Sequence, residues 1–148
     1  MTDPFNELLH SLGKLLGLPL HTDKNNACAL QIKKGIIVQL QPDESLEKIL
    51  IASKISEVPP GKFRENVLKE ALKANGYPDP RIGTFSFLPS TNTLVLFQQY
   101  PIDILTGERL AGLIVPFFDL AEQWRVAILN GKPGPGTVLE TLPMGVIR

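Results

Sequence analysis

Residues 49–76 read ILIASKISEVPPGKFRENVLKEALKANG, and the spacing of their apolar positions changes partway along. From Ile49 to Ile55 the run is rich in β-branched residues, which suits a strand, and Pro59 and Pro60 stop it. From Gly61 onward Phe63, Val67, Ala71 and Leu72 fall on one helical face, Lys and Glu occupy the other, and Asn75 and Gly76 supply a C-terminal stop. A strand that hands over to an amphipathic helix at mid-chain must share a core with it, which sets the expectation of an α+β domain.

Toward the N-terminus, Pro42 to Ser45 forms a turn. Before it Ile36, Val38 and Leu40 alternate with Gln39 and Gln41, and Cys28, Leu30 and Ile32 with Ala29, Gln31 and Lys33, so two strands fold about Lys34 and Gly35 as a hairpin. Further back, Phe5, Leu8, Leu9, Leu12, Leu15 and Leu16 repeat at helical spacing, with Asp3 as N-cap, Pro4 at the first helical position and Gly17 and Pro19 as the stop. Toward the C-terminus, Thr84 to Leu88 and Thr93 to Gln99 read as strands about the turn Pro89 to Asn92. Thr106 then caps a last helix whose apolar face is Leu110, Leu113, Ile114, Phe117, Leu120, Ala121, Trp124 and Ile128, with Gly131 at its end. Pro116 is expected to kink or split that helix. The predicted order is α-β-β-β-α-β-β-α, a twisted and mainly antiparallel sheet flanked by helices. Residues 1–131 form a single domain, and 132–148 a Pro/Gly-rich tail.

Composition narrows the function. The 148 residues balance 15 Lys and Arg against 15 Asp and Glu, so no long-range field exists to hold nucleic acid or an anionic membrane. The basic residues Lys33, Lys34, Lys62, Arg64, Lys69 and Lys73 are interleaved with Glu65 and Glu70, which reads as a solvated surface. The longest apolar run, Leu110 to Phe118, is broken by Gly112 and Pro116 and falls short of the roughly 20 residues that span a bilayer. The opening MTDPFNELLH has acids where a targeting segment wants basic residues, and the one cysteine, Cys28, has no intramolecular partner, so a reducing cytoplasm is expected.

Reactive chemistry is poorly provided for. Only His10, His21 and Cys28 could make a thiol–imidazole pair, and Cys28 lies in a strand pattern as a small core hydrophobe. One Cys and two His do not make a zinc site. Residues 130–137, NGKPGPGT, lack the spacing of a phosphate loop, and their prolines remove the N–H donors that such a loop uses. No catalytic residue, metal ligand or cofactor is therefore assigned. What the chain has in surplus is apolar surface. Its strands carry apolar residues on both faces, as in Ile36 and Ile37, Leu50 and Ile51, Leu94 and Val95, and Leu96 and Phe97. Surface of that kind is covered by a second layer or marks an interaction site.

Several phrases together resemble a known family. FNELLHSLGKLLGLPL leading to DKNNACAL, then VPPGKFRENVLKEALKANG, TNTLVLFQQYP and TGERLAGLIVPFFDLAEQWRVAI, are similar in order and spacing to the class I type III secretion chaperones, the Tir-chaperone family, and more narrowly to their chlamydial-type members. The resemblance runs from about Phe5 to Ile128. It implies a cytoplasmic homodimer, or a heterodimer with a related chaperone, that uses no ATP and holds the N-terminal segment of a secreted effector in an export-competent state. By that resemblance Leu8, Leu12, Leu15, Ile36 and Val38 are candidates for the effector groove, and Phe63, Val67, Ala71, Leu94 and Leu96 for the dimer contact. On this reading Leu12→Asp weakens client capture and leaves the dimer folded.

Two features depart from the family pattern. Its members are commonly acidic and this chain is neutral, and the tail, with Val138, Leu139, Leu142, Met144, Val146 and Ile147, lies outside the shared core. The tail is expected to cover a groove of its own chain, since six bare apolar residues favour aggregation. The competing expectation is a small regulatory module that binds a folded partner such as a component of the transcription machinery. A small enzyme ranks last for want of convergent polar groups.

Overall fold

The computed structural model describes residues 3–32, 35–78 and 82–135. The first helix, α1 (Pro4–Leu16), begins as its sequence dictates: the Asp3 carboxylate accepts the Asn6 backbone N–H at 2.7 Å, and Gly17 ends the helix at φ 68°. Three strands follow, β1 (Cys28–Leu30), β2 (Val38–Pro42) and β3 (Lys48–Glu57), then α2 (Lys62–Asn75), β4 (Thr84–Leu88), β5 (Thr93–Pro101), a single 3-10 turn (Ile102–Ile104) and α3 (Gly107–Leu129). The five strands form one wholly antiparallel sheet in the order β1-β2-β3-β5-β4. The predicted α+β order is the observed one. Both strands of the first hairpin differ from the predicted spans: β1 stops at Leu30, and β2 starts at Val38 and runs on to Pro42.

Register sorts the side chains. Leu30 and Val38 face each other, Val38 faces Ser53, Ser53 faces Leu96, and Leu96 faces Phe85, so these residues share one face with Leu40, Ile49 and Ile51. That face is buried and meets the helices: Phe85 touches Trp124 of α3 with ring centroids 4.3 Å apart, and Arg64 of α2 lies over the Phe87 ring at 4.8 Å. α1 packs chiefly on α3. A Cβ on Gly107 would sit 2.7 Å from the Ser11 Cβ, so only glycine lets the two helices approach this closely. The opposite face carries Ala29, Gln39, Leu50, Ala52, Val95 and Phe97, all exposed or half-buried, and no described helix covers it.

Two expectations are corrected. α3 runs as one helix across Pro116, so of the kink or split expected there the split does not occur. The residue four before it is Gly112, whose Cβ position has open space around it, so the carbonyl that loses its donor faces solvent while Leu110, Ile114, Phe117 and Phe118 are fully buried on the other side. Leu72, placed by spacing on the buried face of α2, is 69% exposed, because the face that meets the sheet is the narrower stripe of Val67 and Ala71.

Candidate functional site

A sheet can be extended only at its edges, and the two edges here differ. At β4, the Asn75 side chain closes α2 onto the strand: its Oδ1 accepts the Phe85 N–H at 2.7 Å and its Nδ2 donates to the Phe85 carbonyl at 2.9 Å. One amide thus occupies both groups that an incoming strand would need at that residue. At β1, only a single bridge, Thr22 to Cys28, lies outside the strand among the described residues. The bridge is formed by a tight turn in which Asp23 Oδ1 accepts from the Asn25 and Ala27 N–H groups at 2.8 and 3.0 Å, with Asn26 at φ 62°. Beyond Cys28, β1 has no described neighbour on that side.

Ile32 just past β1, Ile37 just before β2, and Leu15 at the end of α1 are all exposed. The Ser53 hydroxyl donates to the Ile37 carbonyl at 2.9 Å and fixes the backbone from which that side chain projects. Grooves run along both sides of α1. One of about 480 Å³ lies between the helix and the segment leading to β1, lined by Leu9, His10, Gly13, Pro19 and Leu20. The other, about 710 Å³, is walled by Glu7, Leu8, Ser11, Leu46, Ile102 and Gly107.

The Asp43 turn holds one lip of this larger groove. Its Oδ1 accepts the Lys48 and Glu47 N–H groups at 3.1 and 2.9 Å and its Oδ2 the Ser45 hydroxyl at 3.1 Å, and these bonds, the Lys48 amide foremost, hold the Asp43 carboxyl below its usual range. Cys28 is fully buried, and that burial raises its thiol pKa, with Asp23 adding to the shift and a His21 backbone bond opposing it. A thiol held neutral in the core is a packing group. His10 and His21 are exposed. Among the described residues no group of His, Cys, Asp and Glu comes together that could hold a metal ion, and no helix is long and apolar enough to cross a membrane.

Of the residues predicted for the effector groove, Leu12, Ile36 and Val38 are fully buried within the chain, Leu8 shows a small edge to the larger groove, and Leu15 is 53% exposed. Of those predicted for the dimer contact, Val67, Ala71, Leu94 and Leu96 are buried beneath α2 and on the inner sheet face, and Phe63 is half-buried. Helical and strand spacing identifies which residues point inward and does not separate a chain's own core from a surface offered to another. Asn75 was legible only as a helix stop, because nothing local shows that its amide meets a strand ten residues on. Exposed Ile37 was legible as one member of a two-sided pair.

A family model described as the Tir chaperone protein (CesT) family matches residues 7–125. No curated protein sequence matches the chain. Among solved structures, a chain of the Yersinia pestis type III secretion chaperone SycH in complex with a stable fragment of YscM2 aligns at a TM-score of 0.62 and 18% identity, covering 79% of this chain and 96% of that one. A chain of the ExoT–SpcS complex from Pseudomonas aeruginosa aligns at 0.63 and 16% identity, covering 82% and 97%. A chain of the ExsC–ExsE complex aligns at 0.61 and 22% identity, covering 81% and 90%. At these identities the likeness is one of fold.

Proposed function

The chain belongs to the Tir chaperone protein (CesT) family, and from that premise we propose that it is a cytoplasmic type III secretion chaperone of the chlamydial type. It binds the N-terminal segment of a secreted effector and keeps it soluble and export-competent without ATP. The observation that carries the mechanism is the asymmetry of the sheet, with the outward-facing groups of Phe85 on β4 taken up by Asn75 and β1 bridged on its outer side at Cys28 alone among the described residues.

An extended client segment adds main-chain hydrogen bonds along β1 past Cys28 and lays alternate apolar side chains against Leu15, Ile32 and Ile37. Leu8, Leu12, Ile36 and Val38 form the platform beneath. Burial contributes roughly 25 cal/mol per Å², so about 1,000 Å² of apolar contact offsets the ordering of a disordered segment. No step calls for bond making or a cofactor. The protein works as a homodimer through the α2 and β4 flank, which carries half-buried Phe63 and the exposed Ile82 and Leu88 in addition to the buried Val67, Ala71, Leu94 and Leu96. Residues 1–131 form the chaperone domain and 132–148 an appended tail. SycH and ExsC, whose fold this chain shares, occur in complexes with protein partners. Neither the family nor the matched structures support the regulatory-module reading.

The test is co-expression with the N-terminal segments of effectors secreted by the same cell, followed by size-exclusion chromatography and hydrogen exchange. Co-elution with new protection at β1 is the expected result. Failure of every segment to bind, or protection confined to β4, would overturn the reading.

A further inference from the structure

The sequence holds two Asn–Gly pairs, Asn75–Gly76 and Asn130–Gly131, and each ends a helix. Asparagine is a thermally labile residue, and before glycine its side-chain amide is most open to attack by the next backbone nitrogen, because no Cβ hinders the approach. The fold treats the two pairs differently. Asn75 is the last residue of α2; Phe85 holds its amide at both ends, at 2.7 and 2.9 Å, and the Gly76 N–H bonds the Leu72 and Lys73 carbonyls at 3.1 and 3.0 Å. The carbon to be attacked is clamped on a strand, and the attacking nitrogen is engaged in the helix end. Asn130 is exposed and lies just outside α3 at φ −92° and ψ 12°, and its side chain makes no hydrogen bond among the described residues. The Gly131 N–H bonds the Ile128 carbonyl at 3.0 Å, in a Schellman turn whose other bond runs from the Lys132 N–H to the Ala127 carbonyl at 2.8 Å.

We infer that Asn130 is a self-modification site at which the folded chain deamidates while Asn75 is spared, and that the change loosens the turn that lays Gly134 on Trp124. The step needs only water. The Gly131 nitrogen gives up its proton and bonds Asn130 Cγ, the Cγ–Nδ2 bond breaks, and ammonia leaves with that proton. Water then opens the cyclic imide: breaking its nitrogen bond to Cγ leaves aspartate, and breaking the bond to the main-chain carbonyl carbon leaves isoaspartate. One water is consumed, one ammonia is released and nothing is oxidised. Either product sets a carboxylate among the terminal carbonyls of a 23-residue helix, the end that repels negative charge, and isoaspartate also adds a methylene to the main chain inside the turn. That turn, with Gly131 at φ 76°, directs the next residues: a Cβ built on Gly134 would stand 3.3 Å from Trp124 Cη2. Trp124 is buried and is the one tryptophan of the chain, so its emission reports the contact. The cover expected from Val138 to Ile147 lies outside the described residues. Asn130 lies beyond the residues that match the family, and its chemistry requires no client.

Incubation of the full chain in mildly alkaline buffer, followed by peptide mapping by mass spectrometry, is the test. Asn130 is expected to convert at least about tenfold faster than Asn75 in the folded chain, and the gap to close to within about threefold in urea, where local protection is gone. The converted fraction, separated by its added negative charge on ion exchange, should show Trp124 emission at longer wavelength. Asn130→Ser should keep the starting emission through the same incubation. Equal conversion of the two sites in the folded chain, conversion of neither there, or a gap that persists in urea would overturn the inference. So would a converted fraction whose emission matches that of the parent chain.

Discussion

Asn75 does with a side-chain amide what a sixth strand would do with its backbone. Asn75→Ala removes both hydrogen bonds to Phe85 and leaves a part-buried N–H and carbonyl unpaired, so a loss of about 1–3 kcal/mol is expected in urea unfolding, with faster exchange of the Phe85 amide. Asp43 sets a different dependence. Its carboxyl is held below the usual range in the folded chain, so its contribution is present above the unfolded value and is lost as pH falls through the folded one. We expect an acid limb in the pH–stability curve below about pH 4. Asp43→Asn should flatten that limb, as measured by thermal unfolding across pH. Neither role was legible in the sequence. The Asp43 region read as a turn and Asn75 as a stop; both readings are right, and both omit the partner that a tertiary structure supplies.

Among the elements, α1 shows what periodicity can and cannot assign. Its apolar stripe from Phe5 to Leu16 was read correctly as one face, yet the core beneath ends before the stripe does. Leu12 is fully enclosed and Leu15 is not. Leu12→Asp therefore places a carboxylate in the core and is expected to destabilise by upwards of about 3 kcal/mol, seen as loss of the cooperative transition in circular dichroism. This replaces the expectation of a folded dimer with weakened capture. Leu15→Asp is expected to leave the unfolding midpoint within about 0.5 kcal/mol of the parent chain while weakening client binding at least tenfold, by titration calorimetry. The same limit explains Leu72: position on a helical wheel is visible in the sequence, but the width of the stripe its neighbours will cover is not.

For the whole molecule, the surplus of apolar surface read from paired residues is real, and it is distributed one to a side. Ile36, Ile51, Leu94 and Leu96 are buried under the helices, whereas Ile37, Leu50, Val95 and Phe97 lie on the face that no described helix covers. Three helices suffice for one face of five strands and not for two. If the α2 and β4 flank joins two copies, Phe63→Asp should shift sedimentation from dimer to monomer at micromolar concentration while far-UV circular dichroism is unchanged; a persisting dimer would place the contact elsewhere.

The plugged edge at β4 has one more consequence. Endless ribbons arise when every unit can both give and receive a strand, each newcomer exposing a fresh lip for the next. Here the Asn75 amide takes up the outward-facing groups of Phe85 on one of the two lips, so one copy's β1 is disfavoured from docking on the next copy's β4. A protein that handles sticky, unfolded passengers is thereby spared from polymerising with itself.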